Sequence, residues 1–173
     1  MAFEIDAPEI DESPLLGETP ADTALRLACA KAHAVAVRSP PALIIGSDQV
    51  AVLDGRALGK PGQHDNAVAQ LAAMRGKSVV FHTALCVLNS ASGSEQSANV
   101  PTTVHFRNYT DAQIERYLRL EQPYDCAGSA KIEGLGIALV ERIESSDPTA
   151  LIGLPLMLLT TMLANAGVHV IAP

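Results

Sequence analysis

The sequence contains no tryptophan, and only three tyrosines and three phenylalanines in 173 residues. A core short of large rings has to be filled by Ala, Val, Leu and Ile. An aromatic platform for stacking the bases of a single strand is excluded. Basic charge is also scarce. Twelve Lys and Arg face 19 Asp and Glu, a formal net charge of −7, which argues against a general binder of nucleic-acid polymers. A small anionic ligand remains compatible, because a pocket needs only a few local cations. Cysteine occurs at Cys29, Cys86 and Cys126. An odd number at wide spacing makes neither a disulfide framework nor a Cys-x-x-Cys metal knuckle, so buried, reduced thiols in a cytoplasmic protein are expected. The opening Met1-Ala2-Phe3-Glu4-Ile5-Asp6 is acidic and lacks an apolar h-region, so no signal peptide is expected. The most apolar stretch, residues 151–164, is broken by Gly153 and Pro155 and is too short to span a bilayer. It reads as a core helix, and no membrane partner is expected.

What is present is apolar. Hydrophobic residues make up 48% of the chain and the mean hydropathy is +0.19, values that exclude disorder as the overall state. The length suits one well-cored domain or two closely joined lobes.

Local signals divide the chain finely. Residues 3–5 read as a short strand, followed by the acidic, proline-broken loop Ala7-Pro8-Glu9-Ile10-Asp11-Glu12-Ser13-Pro14. Thr19-Pro20 gives an N-cap with proline at the first helical position, and the Ala-rich run continues to Val37 before Pro40-Pro41. Residues 42–45 have the continuous apolar pattern of a buried strand. Asp54-Gly55 marks a tight hairpin between 50–53 and 56–58. A helix is expected over 65–74, a long strand over 78–88, and its return over 99–107 after the Ser-rich turn 90–94. Thr110-Asp111-Ala112-Gln113 is a capping box opening another helix. A Gly-containing loop over 125–136, a strand over 137–143 and a last helix between Pro155 and Gly167 complete the pattern. Irregular alternation of strands and helices predicts an α/β (α+β) architecture around a twisted mixed sheet, in one domain spanning residues 1–173.

Four clusters bear chemistry: Glu9, Asp11 and Glu12 in the acidic loop; Gly46-Ser47-Asp48-Gln49 after the buried strand; Leu58-Gly59-Lys60-Pro61 past the hairpin; and Cys126-Ala127-Gly128-Ser129-Ala130-Lys131-Ile132-Glu133-Gly134-Leu135-Gly136. Each has a plain structural explanation: a solvated loop, a turn-forming Asp, a surface lysine, and a glycine loop without Walker spacing. Their combination suggests more. Asp48 with the acidic loop could hold a divalent cation through carboxylate oxygens. Lys60 and Lys131 could neutralise phosphates approached by glycine backbone.

Taken together with Lys31, His105-Phe106-Arg107 and Leu151-Ile152-Gly153-Leu154-Pro155, these motifs resemble the Maf family of nucleoside triphosphate pyrophosphatases in order and spacing across nearly the whole chain. Ser47-Asp48-Gln49 with the Cys126-Ala127-Gly128-Ser129 loop looks like the branch acting on 7-methyl-GTP rather than the one acting on dTTP and UTP. The resemblance implies a Maf/ITPase-like fold with a cleft between two lobes. It also implies hydrolysis between the α- and β-phosphates, giving the monophosphate and pyrophosphate, with Mg²⁺ or Mn²⁺ as cofactor. Asp48 matches the catalytic proton acceptor, and Gln49 and Glu133 match positions linked to substrate choice. Lys31, Lys60, Lys131 and Ser129 are expected around the phosphates, and Asp48, Asp11 and Glu12 around the metal.

The chain departs from the pattern in two places. Family members open with a strand and a Ser-x-Ser-x-x-Arg phosphate loop, and this chain begins after that point, at what resembles the second strand. Weak hydrolysis by the chain as given is the corresponding expectation. Ala84 stands where Gly usually follows the Thr of the central strand. Two further readings stay open: a nucleotide-binding relative that does not hydrolyse, and a septum-related regulatory protein. The apolar last helix could join a homodimer.

Overall fold

The computed structural model describes residues 3–171. Its elements in chain order are α1 (Pro20–Ala36), β1 (Leu43–Leu53), β2 (Arg56–Leu58), α2 (His64–Met74), β3 (Ser78–Asn89), β4 (Ser94–Phe106), α3 (Asp111–Glu121), β5 (Val140–Ser145) and α4 (Leu156–Asn165). Short 3₁₀ turns cover Ala127–Ser129, Leu135–Leu139 and Ala150–Ile152. The α/β class is as the sequence predicts. The five strands lie in the order β2-β1-β3-β4-β5, and all four pairings are antiparallel, where mixed strand directions were expected.

The local signals work as physical chemistry requires. Thr19 accepts the Asp22 amide at 3.2 Å and Pro20 opens α1. Asp54 and Gly55 have φ of 50° and 78°, the left-handed pair that matches a two-residue turn to the strand twist. Thr110 and Gln113 cap α3 reciprocally. Several boundaries differ from expectation, among them that of β4, which starts at Ser94 rather than at 99. Residues 3–5 form no strand, and Phe3 and Ile5 are exposed. The segments 42–45 and 50–53 fuse into β1, because β3 hydrogen-bonds straight across the polar Ser47, Asp48 and Gln49. Residues 135–139 wind into a 3₁₀ turn, since the amides of Gly134 and Gly136 both turn back to the Lys131 carbonyl. The last strand therefore starts only at Val140.

The long β3–β4 hairpin carries a helix layer on each face. Alternate residues of a strand face opposite sides, so Ala84, Cys86 and Leu88 pack against Ala24, Ala28 and Ala32 of α1. On the other face, Val79 and Phe81 join the larger core under α2 and α3, while Leu85 and Val87 meet Leu159, Met162 and Leu163 of α4. The last helix leaves Leu156 and Met157 46% and 58% exposed. No helix among the described residues is long and apolar enough to cross a membrane.

One glycine sets how close α1 comes to the sheet. A Cβ on Gly46 would lie 2.2 Å from the Ala28 carbonyl oxygen and 2.9 Å from the Ala32 amide nitrogen. Only glycine admits that approach, and it brings Lys31 over β1.

Candidate active site

A cleft of about 760 Å³ opens between α1, the middle of β1, the β1–β2 hairpin, the loop after α3 and the 151–153 segment. That volume accommodates a nucleotide-sized ligand. Asp48 lines it, in mid-strand opposite Ala84. The Lys31 ammonium donates to Asp48 Oδ1 at 2.6 Å and reaches Glu12 Oε1 at 2.9 Å. The Asp48 side chain is only 10% exposed. Burial pushes its carboxyl above the ordinary value, with Lys31 pulling the other way. Burial opposes the charge on Lys31, but hydrogen bonds to Asp48 and Glu12 prevail and raise it. The Glu12 carboxyl is lowered, first by its bond to Lys31.

Ser47 and Gln49 point to the opposite face from Asp48 and fasten another wall. The Ser47 hydroxyl lies 2.7 Å from the Ala84 carbonyl and 2.8 Å from that of Gly153. The Gln49 amide donates to Thr83 Oγ1 at 2.8 Å and to the carbonyls of Ala150 and Leu151 at 3.1 and 3.2 Å. Gln49 thus lines the cleft while its amide nitrogen is committed to the protein. Beneath this wall, buried Asp147 accepts from Thr149, Met157 and Leu158. Burial alone would raise its carboxyl, but these bonds outweigh it and hold it below the ordinary value.

Lys60 and Glu133 both line the cleft and make no ion pair among the described residues. The loop bearing Glu133 is pinned by buried Tyr117, which accepts the Lys131 amide at 2.9 Å and donates to the Ser129 carbonyl at 3.1 Å.

Three expected site residues lie elsewhere. Lys131 turns out of the cleft to Glu121, 3.2 Å away. Glu121 also accepts the Leu135 amide, so this pair closes the loop. Ser129 is fully buried and donates to Gln70 Oε1 at 2.6 Å. Asp11 accepts the Ser13 amide at 2.9 Å in its own turn and does not line the cleft. The acidic loop instead delivers Glu12, together with a residue that spacing did not suggest. Glu18 lines the cleft and is gripped by Arg26 at 2.6 Å, which lowers its carboxyl to about 2. Arg26 also donates to the Ser13 carbonyl at 3.1 Å, so this arginine moors the acidic loop on α1. A Glu and an Arg eight residues apart carry no sequence signal for such a clasp.

A family model described as Maf-like protein matches residues 1–166. The chain is 63% identical over 171 residues to a 7-methyl-GTP pyrophosphatase of Thiobacillus denitrificans, covering 99% of this chain and 85% of that protein. It is 60% identical over 167 residues to a 7-methyl-GTP pyrophosphatase of Cupriavidus pinatubonensis, with 96% and 84% covered. A protein of the same name from Methylobacillus flagellatus is 61% identical over 171 residues, with 99% and 89% covered.

Proposed function

The chain belongs to the Maf family, and from that premise we propose that its cleft hydrolyses a nucleoside triphosphate between the α- and β-phosphates, with 7-methyl-GTP as the preferred substrate, in the cytoplasm. The observation that carries the reading is the Lys31 ammonium bridging a buried Asp48 and Glu12 inside a nucleotide-sized cleft. Asp48 is a carboxylate held by a rigid strand with its basicity raised by burial, the property a general base requires. In the proposed step it takes a proton from the attacking water. The water oxygen bonds to the α-phosphorus, and the bridging oxygen leaves with pyrophosphate. Lys31 and Lys60 are positioned to balance phosphate charge.

A divalent cation of the Mg²⁺ or Mn²⁺ kind belongs to the proposal. Asp48 and Glu12 direct oxygens at one shared point, taken by the Lys31 ammonium, and hard oxygen donors suit such ions. When bound, the ion would offset charge developing on the α-phosphoryl group. Asp11, outside that point, is not included among its ligands.

Pyrophosphate release from 7-methyl-GTP, GTP and UTP with Mg²⁺, measured for the wild type and Asp48→Asn, tests the reading. Turnover of 7-methyl-GTP should dominate and should fall roughly 10²-fold or more in the variant, the scale of lost general-base catalysis. Full turnover in Asp48→Asn would remove the role given to Asp48. Binding of 7-methyl-GTP without pyrophosphate release would make the chain a non-hydrolysing relative.

A further inference from the structure

On the face of the sheet turned toward α1, behind the cleft, two of the three cysteines come together. Cys86 on β3 pairs in register with Ser97 on β4, and Glu95 lies two residues before Ser97 on the same side. Cys29 of α1 closes over them. The sulfurs of Cys29 and Cys86 and a carboxylate oxygen of Glu95 all lie within 4.8 Å of one another. His33, one helical turn beyond Cys29, holds Glu95 Oε2 at 2.7 Å. The surroundings are small and apolar: Ala28, Ala32 and Ala84 are buried beside Cys86.

We infer that Cys29, Cys86 and Glu95 form a binding site for a borderline-soft divalent cation of the Zn²⁺ class, with His33 orienting the Glu95 carboxylate. Two thiolates and a carboxylate are a donor set such ions take, and Mg²⁺ does not. From separations within 4.8 Å, a contraction of at most about 1 Å brings the donors to the span of a four-coordinate centre, whose metal–sulfur bonds are ~2.3 Å. Ligating carboxylates are commonly fixed by hydrogen bonds from a neighbouring group, the place His33 takes at Glu95. Cys86 is buried, Cys29 is half-buried, and the Glu95 and His33 side chains are 32% and 59% exposed, so the ion has a route from solvent on the His33 side.

A thiol–disulfide pair fits less well. A carboxylate beside two thiols disfavours the thiolate that exchange requires, whereas a cation is favoured by it. Binding releases both thiol protons to the buffer and leaves two sulfur–metal bonds, with no change of oxidation state. Because Lys31 lies between Cys29 and His33 on α1, the ion would staple to β3 and β4 the helix that serves the cleft.

The test uses the full chain in metal-free buffer with a phosphine reductant, titrated with Co²⁺ alone. One equivalent should produce a near-ultraviolet thiolate-to-cobalt charge-transfer band and visible bands of four-coordinate intensity, both bleached by Zn²⁺. Cys29→Ser and Cys86→Ser should each weaken the charge-transfer band and lower affinity at least tenfold, and Glu95→Gln should lower affinity while keeping the band. Cys126→Ser, which changes the thiol that lines the cleft, should leave the band intact. Should Cys86→Ser fail to fold, the wild type still decides the matter: Zn²⁺ should slow alkylation of half-buried Cys29 but not of half-buried Cys126. The site is overturned by absence of the charge-transfer band, by a band that survives replacement of both Cys29 and Cys86, or by equal alkylation of Cys29 with and without Zn²⁺. A chain two mass units lighter and lacking the band would replace the site with an oxidised cysteine pair.

Discussion

Replacing Gly46 by alanine adds one methyl group where α1 lies against β1. That carbon would stand 2.2 Å from the Ala28 carbonyl oxygen and 2.9 Å from the Ala32 amide nitrogen. Both obstacles are helix backbone, so no side chain can swing aside. Restoring an ordinary contact of 3.4 Å to the Ala28 oxygen moves the helix away by about 1.2 Å. Lys31 sits one residue before Ala32 and moves with it, lengthening its 2.6 Å bond to Asp48. Overpacking of this kind costs about 1–3 kcal/mol of folding stability, and misplacing a positioning group by about 1 Å can cost roughly 10²-fold in rate. Urea unfolding followed by circular dichroism reads the first effect, and pyrophosphate release at saturating 7-methyl-GTP reads the second. Unchanged stability with unchanged turnover would refute the claim that Gly46 sets the distance between α1 and the strand bearing Asp48.

Four further outcomes follow from the side chains of the cleft and its wall. Although the variant removes a partner of Lys31, Asp48→Asn should change stability little at neutral pH, because a folded-state pKa raised by burial means that the ionised carboxylate opposes folding above that pKa. For the same reason, the acid limb of kcat/KM should lie above the ~3.9 of an ordinary aspartate. Glu133→Gln should reduce kcat/KM for 7-methyl-GTP by about 1–3 kcal/mol of lost polar contact with the base while sparing UTP, and an equal loss on both nucleotides would place Glu133 at the phosphates instead. Asp147→Asn should lose about 1–3 kcal/mol at pH 7, since an amide nitrogen cannot accept the Met157 and Leu158 amides. The lowered Asp147 pKa stabilises the fold above the unfolded value near ~3.9 and is lost as pH falls through the folded one, so the gap between wild type and variant should narrow in thermal melts on acidification.

The elements legible in the sequence were those specified by their own residues. Thr19-Pro20, Asp54-Gly55 and the Thr110–Gln113 box act within a few positions of themselves, and each forms as read. The misplaced boundaries were set by partners distant in sequence. Nothing in Ser47-Asp48-Gln49 favours a strand, but pairing with Ala84, Thr83 and Leu85 carries β1 through them. Residues 3–5 alternate well enough for a strand but pair with no strand among the described residues. The same division runs through the site. Asp48, Lys31, Glu12, Lys60 and Glu133 line one cleft, whereas Lys131, Ser129 and Asp11 are claimed by Glu121, Gln70 and Ser13. Competition for a side chain among residues brought together only by folding leaves no trace in spacing. The approach of Cys29 to Cys86 and Glu95 was invisible for that reason.

The charge lining the cleft bears on what can enter it. Among the described residues, Glu12, Glu18, Asp48, Asp125 and Glu133 share the cleft lining with two cations, Lys31 and Lys60, and Arg26 pairs with Glu18. A bare triphosphate approaching this surface meets more negative than positive charge, and in a partly buried site that repulsion is poorly screened. Two features of the proposed substrate complex reverse the sign. A divalent cation carried with the phosphates, as proposed, would cancel charge at Asp48 and Glu12 and leave Lys31 available to phosphate oxygens. A methylated N7 makes the base cationic, so that Glu133 gains Coulomb energy with it that unmethylated GTP cannot supply. Raising the ionic strength should therefore narrow the preference for 7-methyl-GTP over GTP, since screening weakens attraction between Glu133, which is solvent-exposed, and the charged ring. A preference independent of salt would mean that the methyl group is read by shape alone.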